Sequence, residues 1–165
     1  MKYKALLFGS IGTLIESSDI QRTSFNEAFK EAGLDWYWDE QDYRNLLKKS
    51  GGTKRVEDFA EKNNVNINAS QIRNRKTEIF SSYIMKNKQK LRKSVYEIIN
   101  FAKKNNIKLS LSTSTTINNV EAVFESLSDQ IVKEDFDFIG NKSLVKYEKP
   151  NPEIYKVTLE KLNIE

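Results

Sequence analysis

The sequence predicts an α/β fold: a parallel sheet of about three strands, with four helices inserted after the first strand. Three observations carry this. "KALLF" (4–8) is an unbroken apolar run that stops at Gly9, the pattern of a strand buried on both faces. No strand pattern interrupts residues 18–90, where apolar residues recur at helical spacing. From Val95 onward helix and strand patterns alternate, as they do when helices cross over between parallel strands.

The elements follow in order. "SDIQRTSFNEAFKEAG" sets Ile20, Phe25, Ala28 and Phe29 on one helical face, with Ser18 or Asp19 as its cap and Gly33 as its stop. "DEQDYRNLLKK" reads as a second helix closed by Gly51-Gly52, "KRVEDFAEKN" as a third and "ASQIRNRKTEIFSSYIMKN" as a longer fourth. Then come the amphipathic helix "SVYEIINFAKKNN", the strand "IKLSLS" ending in "TST", the helix "NNVEAVFESL", the strand "FDFIG" and the closing helix "NPEIYKVTLEKLNI". A length of 165 residues suits one small core with an insertion. The expected division is 1–15 with 92–165 as the α/β core, and 16–91 as the helical insertion.

Composition removes several classes of function. With 38% hydrophobic and 30% charged residues, the chain reads as an ordinary soluble protein. No apolar run approaches the ~20 residues of a membrane span, and none follows a basic start as in a signal peptide, so no membrane partner is expected. The net charge is +4, with basic residues recurring in "IRNRK", "KNKQKLRKS" and "FAKKNN". They fall at helical spacing among Asn and Gln, with acidic residues interleaved elsewhere, which reads as a solvated surface and not as a nucleic-acid interface. The absence of cysteine excludes disulfides and thiol chemistry and fits a cytoplasmic location. The absence of histidine removes the commonest general base and metal ligand, so any metal site would be built from oxygen.

The remaining candidates are suited to phosphate. The strand over 107–112 ends in Ser112-Thr113-Ser114-Thr115 just before a helix, where hydroxyls and free N–H groups hold anions; the same residues also serve as a plain helix cap. Lys149 precedes Pro150, with Pro152 beyond, so its side chain leaves the loop in a defined direction as the next helix starts; a plain surface lysine is the alternative. In "SGGTKRV" two glycines allow close backbone approach, and Lys54 or Arg55 could meet a phosphate; which of the two faces inward stays open. Trp36 and Trp38 read as packing residues.

Taken in order and at their separations, "LLFGSIGTLIES", "LDWYWDEQDYRNLLKKSGGTKRV", "LSLSTSTTINNVEAVF" and "YEKPNPEIY" resemble the haloacid dehalogenase-like (HAD) phosphatases, and most closely the CbbY group. The resemblance runs from about residue 4 to the C-terminus. It implies a HAD-like Rossmannoid core with a helical cap, and Mg²⁺-dependent hydrolysis of sugar phosphates such as xylulose 1,5-bisphosphate through an aspartyl-phosphate. Thr113 matches the hydroxyl that bonds the transferring phosphoryl group, with Ser114 beside it, and Lys149 matches the lysine that neutralises its charge. Glu16 matches an acidic residue near the cap hinge, and Lys54 or Arg55 and Lys76 match cap positions over the substrate.

The chain departs from the family's pattern at several points, Gln21 standing where the family has a histidine and the first motif being altered most. The family's first motif is Asp-x-Asp-Gly-Thr, the first Asp attacking phosphorus and the second moving the proton. Here Gly9 and Ile11 stand in those places, while Gly12, Thr13 and Leu14 are kept. Glycine offers no nucleophile and isoleucine transfers no proton. Alternation along an extended strand is expected to turn Ser10 away from the site. The acidic pair of the fourth motif would begin roughly ten residues past "LEKLNIE", so no metal site and no cofactor are expected for this stretch. Without the strand 4/5 region, the first strand becomes an apolar edge open to self-pairing. The sequence therefore predicts a CbbY-like phosphatase homologue with impaired catalysis; the alternative is a non-catalytic module that binds phosphometabolites or another protein.

Overall fold

In the computed structural model, which describes residues 3–49 and 51–164, the alternation beyond Val95 becomes a parallel α/β sheet. The strands are β1 (Ala5–Phe8), β2 (Lys108–Ser112) and β3 (Phe138–Gly140), in the spatial order β1-β2-β3. Both pairings are parallel, with Leu6 opposite Leu109 and Ser112 opposite Gly140. The helices are α1 (Ser18–Glu31), α2 (Glu40–Leu46), α3 (Gly52–Lys62), α4 (Ala69–Lys86), α5 (Val95–Lys104), α6 (Ile117–Ser126) and α7 (Glu153–Lys161). The fold class read from periodicity is thus the observed one.

The chain divides into two compact units, Met1–Glu16 with Ile84–Glu165, and Ser17–Tyr83. In the α/β unit β2 is central and buried from Leu109 to Ser112. Ile99 and Ala102 of α5 and Ile154 of α7 are buried beside it, and Val120 and Val123 of α6 are buried as well. Phe136 meets Phe8 and Phe124 edge-on, at 6.2 and 5.5 Å between ring centres. Asp137 fixes the entry to β3, accepting from the Leu109 N–H at 2.8 Å and the Lys108 ammonium at 2.7 Å.

The helical unit is held by aromatic packing. Trp38 is fully buried, its ring 5.0 Å from Phe25, 4.7 Å from Phe29 and 5.4 Å from Phe59. The Asn26 amide clamps the Trp38 backbone, donating to its carbonyl and accepting from its N–H, each at 2.9 Å. That fixes the extended segment between α1 and α2 onto α1, and the two tryptophans pack as the sequence suggested.

Boundaries differ from the sequence reading in physically instructive ways. Gly51 and Gly52 do not close α2, which ends at Leu46; Gly51 (φ +99°) is the cap residue that opens α3, and Gly52 is its first residue. The cap of α1 is Ser17 and not Ser18 or Asp19, and its side chain makes no capping bond. Gly33 does end α1: at φ +71° its N–H bonds the Lys30 carbonyl and that of Leu34 reaches back to Phe29.

Candidate functional site

The chain leaves β1 through a tight loop. Leu14 N–H bonds the Ser10 carbonyl at 2.9 Å and Gly12 N–H bonds that of Ile15 at 2.8 Å. Gly12 sits at φ +77°, a conformation that a Cβ would penalise, which is why glycine stands there. Gly9 lies at the end of the strand. A Cβ on it would stand 2.8 Å from Thr13 Oγ1, so a side chain at position 9 would require the threonine hydroxyl to shift. Ile11 is half-buried and bridges Ile15.

Ser10 does not turn away as strand alternation suggested. The strand has already ended at Phe8, and the turn swings the buried Ser10 hydroxyl to 3.0 Å from Thr113 Oγ1. Thr113 is buried just past β2 and also accepts from the Thr115 N–H at 3.3 Å. The hydroxyls that follow take different tasks. Ser114 accepts the Lys149 N–H at 2.9 Å, Thr115 accepts the Asn119 amide at 2.8 Å, and Thr116 caps α6 by accepting the Asn119 N–H at 3.4 Å. Lys149 reaches back across the same strand end, its ammonium 2.8 Å from the Ser112 carbonyl and 4.6 Å from the Tyr155 ring centre. Gly9, Ser10, Thr113, Ser114 and Lys149 are therefore assembled around the C-terminal ends of β1 and β2. The side chains offered are hydroxyls and one ammonium, a set suited to an oxyanion.

Glu16, the last residue of the first segment of the α/β unit, is exposed and pairs with Arg92 at 3.4 Å; Arg92 also donates to the Gly12 carbonyl, so it ties down the loop that follows β1. In the helical unit Lys54 is exposed and pairs with Asp58 at 2.7 Å, a pairing that raises its pKa. Arg55 is half-buried, donates to the Leu46 and Lys49 carbonyls and lies 5.7 Å from the Tyr43 ring centre. Both line a groove of about 710 Å³ with Lys48, Lys49, Asp58 and Lys62.

Lys76 is of another kind. It is only 6% exposed, and its ammonium lies 5.0 Å from the Phe25 ring centre and 4.9 Å from that of Phe80. Among the described residues neither a carboxylate nor a hydrogen-bond acceptor contacts it. Two ring faces return about 0.5–2 kcal/mol each to a cation, whereas burying an ion costs several. Burial wins, aided by repulsion from Arg73 and Arg55, and the Lys76 pKa is pushed down to about 7. Arg73, without an ion pair among the described residues, packs against the first turn of α3, where a Cβ on Gly52 would be 3.6 Å from its Cγ. The sequence carried a sign of this: Ile72, Lys76, Phe80 and Ile84 recur every four residues, so one lysine interrupts an apolar stripe.

Mg²⁺ requires oxygen ligands, carboxylates above all. The group around Gly9 and Thr113 holds no carboxylate, and among the described residues no three acidic or histidine side chains cluster as a metal site would need.

A parallel α/β sheet with four helices inserted after its first strand, and hydroxyls with a lysine gathered at the strand ends, defines a class. The chain belongs to the haloacid dehalogenase-like hydrolases, whose family model matches residues 3–165. Within that family it falls in the CbbY-like group. It is 34% identical over 164 residues to the protein CbbY of Cereibacter sphaeroides, covering 98% of this chain and 71% of that protein. The protein CbbY of Rhodobacter capsulatus is 32% identical over 167 residues, covering 99% and 74%. Among solved structures, a mutant CbbY from Rhodobacter sphaeroides in complex with xylulose 1,5-bisphosphate superposes with a TM-score of 0.84 at 32% identity, covering 98% of this chain and 73% of the other. The same protein in complex with phosphate gives 0.84 at 33%.

Proposed function

We propose that this chain binds a phosphorylated small molecule of the sugar-phosphate class and hydrolyses it poorly or not at all. One observation supports the reading: Gly9, which matches the family nucleophile by resemblance, carries no side chain, while Thr113, Ser114 and Lys149 are gathered at the neighbouring strand end. Phosphoryl transfer through a covalent intermediate needs an attacking oxygen and a proton carrier. Gly9 and Ile11 supply neither. Thr113 and Ser114 would donate to the phosphate oxygens, and Lys149 would leave the Ser112 carbonyl to neutralise their charge.

The helical unit serves as the cap in this reading, with Glu16 at the hinge. Lys76 lies beside the ligand in this reading, and its neighbour Arg73, a cation without an ion pair among the described residues, supplies the charge that faces the phosphate. Lys54 and Arg55 contribute less, because each is already engaged by protein groups. That CbbY structures have been obtained with xylulose 1,5-bisphosphate and with phosphate supports the ligand class.

The test is release of phosphate from xylulose 1,5-bisphosphate and from an aryl phosphate, with Mg²⁺ and with chelator, together with calorimetric binding of the bisphosphate. Turnover equal to that of Lys149→Ala is expected, with saturable binding that Lys149→Ala weakens about tenfold, the size of one charge-assisted hydrogen bond. Mg²⁺-dependent turnover lost in Lys149→Ala would overturn the impairment. A second reading, favoured by the position of β1 at the end of the sheet order, is self-association through that strand.

A further inference from the structure

With neither cysteine nor histidine in the sequence, amines are the strongest nucleophiles this chain has. Among the lysines, Lys76 has surroundings of its own. It is buried on the apolar stripe of α4, its Nζ flanked by Phe25 of α1 and Phe80 of α4. The charged groups acting on it are Arg73, one turn back on the same helix, and Arg55 on α3, both cations. A lysine desolvated by aromatic walls and crowded by positive charge is the arrangement that frees an amine lone pair for attack on carbon.

We propose that Lys76 is a reactive amine whose neutral Nζ adds to the carbonyl carbon of a small open-chain aldehyde or ketone and forms an imine. The C–N bond forms first, giving a carbinolamine. Its hydroxyl then takes a proton and leaves as water, so the step consumes no oxidant or reductant and is reversible. The same surroundings push the Lys76 pKa down to about 7, so that near neutral pH a substantial fraction is the free amine. An exposed lysine, with a pKa of about 10.4, is protonated almost completely there. Arg73 supplies the charge for an anionic group on the same molecule. This last part rests on the proposed binding of a phosphorylated ligand; the amine chemistry does not.

The test uses the whole chain at pH 7 with glyceraldehyde, and separately with glyceraldehyde 3-phosphate. Cyanoborohydride reduces any imine to a stable secondary amine, and peptide mass mapping reads the label at each lysine and at the terminal amine. Lys76 is expected to label at least about tenfold faster than exposed lysines such as Lys62 and Lys161, with the lead shrinking toward pH 10. Lys76→Arg should lose that label and no other, with an unchanged circular dichroism spectrum. Labelling of Lys76 no faster than of the exposed lysines overturns the proposal, and the unaltered chain alone decides it, whatever the variant does. Faster labelling by the phosphorylated aldehyde, abolished in Arg73→Gln, supports the anionic part. Equal rates for the two aldehydes remove the anionic part and leave the reactive amine standing.

Discussion

A buried ammonium without a counter-charge is an expense that packing alone does not explain, and Lys76 makes it measurable. Its pKa of about 7 in the folded chain lies below the ordinary lysine value of 10.5. Between those two values the unfolded chain binds the extra proton, so stability rises with pH across the window and Lys76 is most costly below pH 7. Replacing the ammonium by an isosteric apolar side chain removes the cost. Lys76→Met should raise stability at pH 6.5 by about 1–3 kcal/mol, and the gain should shrink steadily as the pH approaches 10. Urea unfolding at pH 6.5, 8 and 9.5 checks both the sign and the slope; a loss of stability in the variant would mean that Lys76 has a partner after all. At this scale the sequence brought together by motif order residues that the fold does place together, Thr113 just past the end of β2 and Lys149 reaching back to Ser112 and Ser114. It was opaque where a turn redirected a side chain, as for Ser10, because alternation holds only while the chain is extended. Lys76 only matched a cap position by resemblance, and its burial between two rings depends on a helix distant in sequence.

Helix and strand existence followed from periodicity, whereas the ends of the elements followed from backbone conformations that composition concealed. Helices α3, α5 and α7 all terminate as α1 does, with a left-handed residue after the cap. In them the residue is Asn64, Asn106 or Asn163, at φ +55°, +53° and +53°. Each shows the same pair of bonds: Asn106 N–H to the Lys103 carbonyl and Ile107 N–H to that of Ala102, for example. These asparagines read from sequence as part of a solvated Lys/Asn-rich surface, but asparagine is the commonest substitute for glycine at this position. Gly51 was misassigned for the converse reason, since a glycine at positive φ opens a helix as readily as it closes one. Asn106→Ala places a Cβ without a compensating amide in the left-handed region and should cost about 1 kcal/mol. Asn106→Gly should be neutral to stabilising, by up to about 1 kcal/mol. The comparison of melting temperatures isolates backbone conformation, because both variants remove the same side-chain amide. Equal losses in the two would assign the effect to that amide and not to φ.

The order β1-β2-β3 leaves β1 with a strand neighbour on one side among the described residues, and β1 is the apolar sequence "ALLF". Open strand edges are templates for pairing, and natural proteins blunt them with charge, proline or bulges. None of these interrupts Ala5 to Phe8, whose first three residues are only half-buried. An antiparallel copy paired about Leu6 would set Leu6 against Leu6 and Ala5 against Leu7. Lys4 would then face Phe8, so that no like charges are opposed. In the ladder with β2, the Lys4 carbonyl accepts from Lys108, so residues 4, 6 and 8 direct their backbone groups to β2 and Ala5 and Leu7 direct theirs outward. Ala5→Pro removes an outward donor and leaves the β2 ladder its bonds, a placement that edge strands tolerate. If the chain self-associates through this edge, its weight-average mass in sedimentation rises above 19.2 kDa with concentration, and Ala5→Pro holds it at the monomer value. A mass that stays at the monomer value throughout, in the unaltered chain, would mean that the unpaired backbone of β1 is satisfied by water and that the edge carries no association.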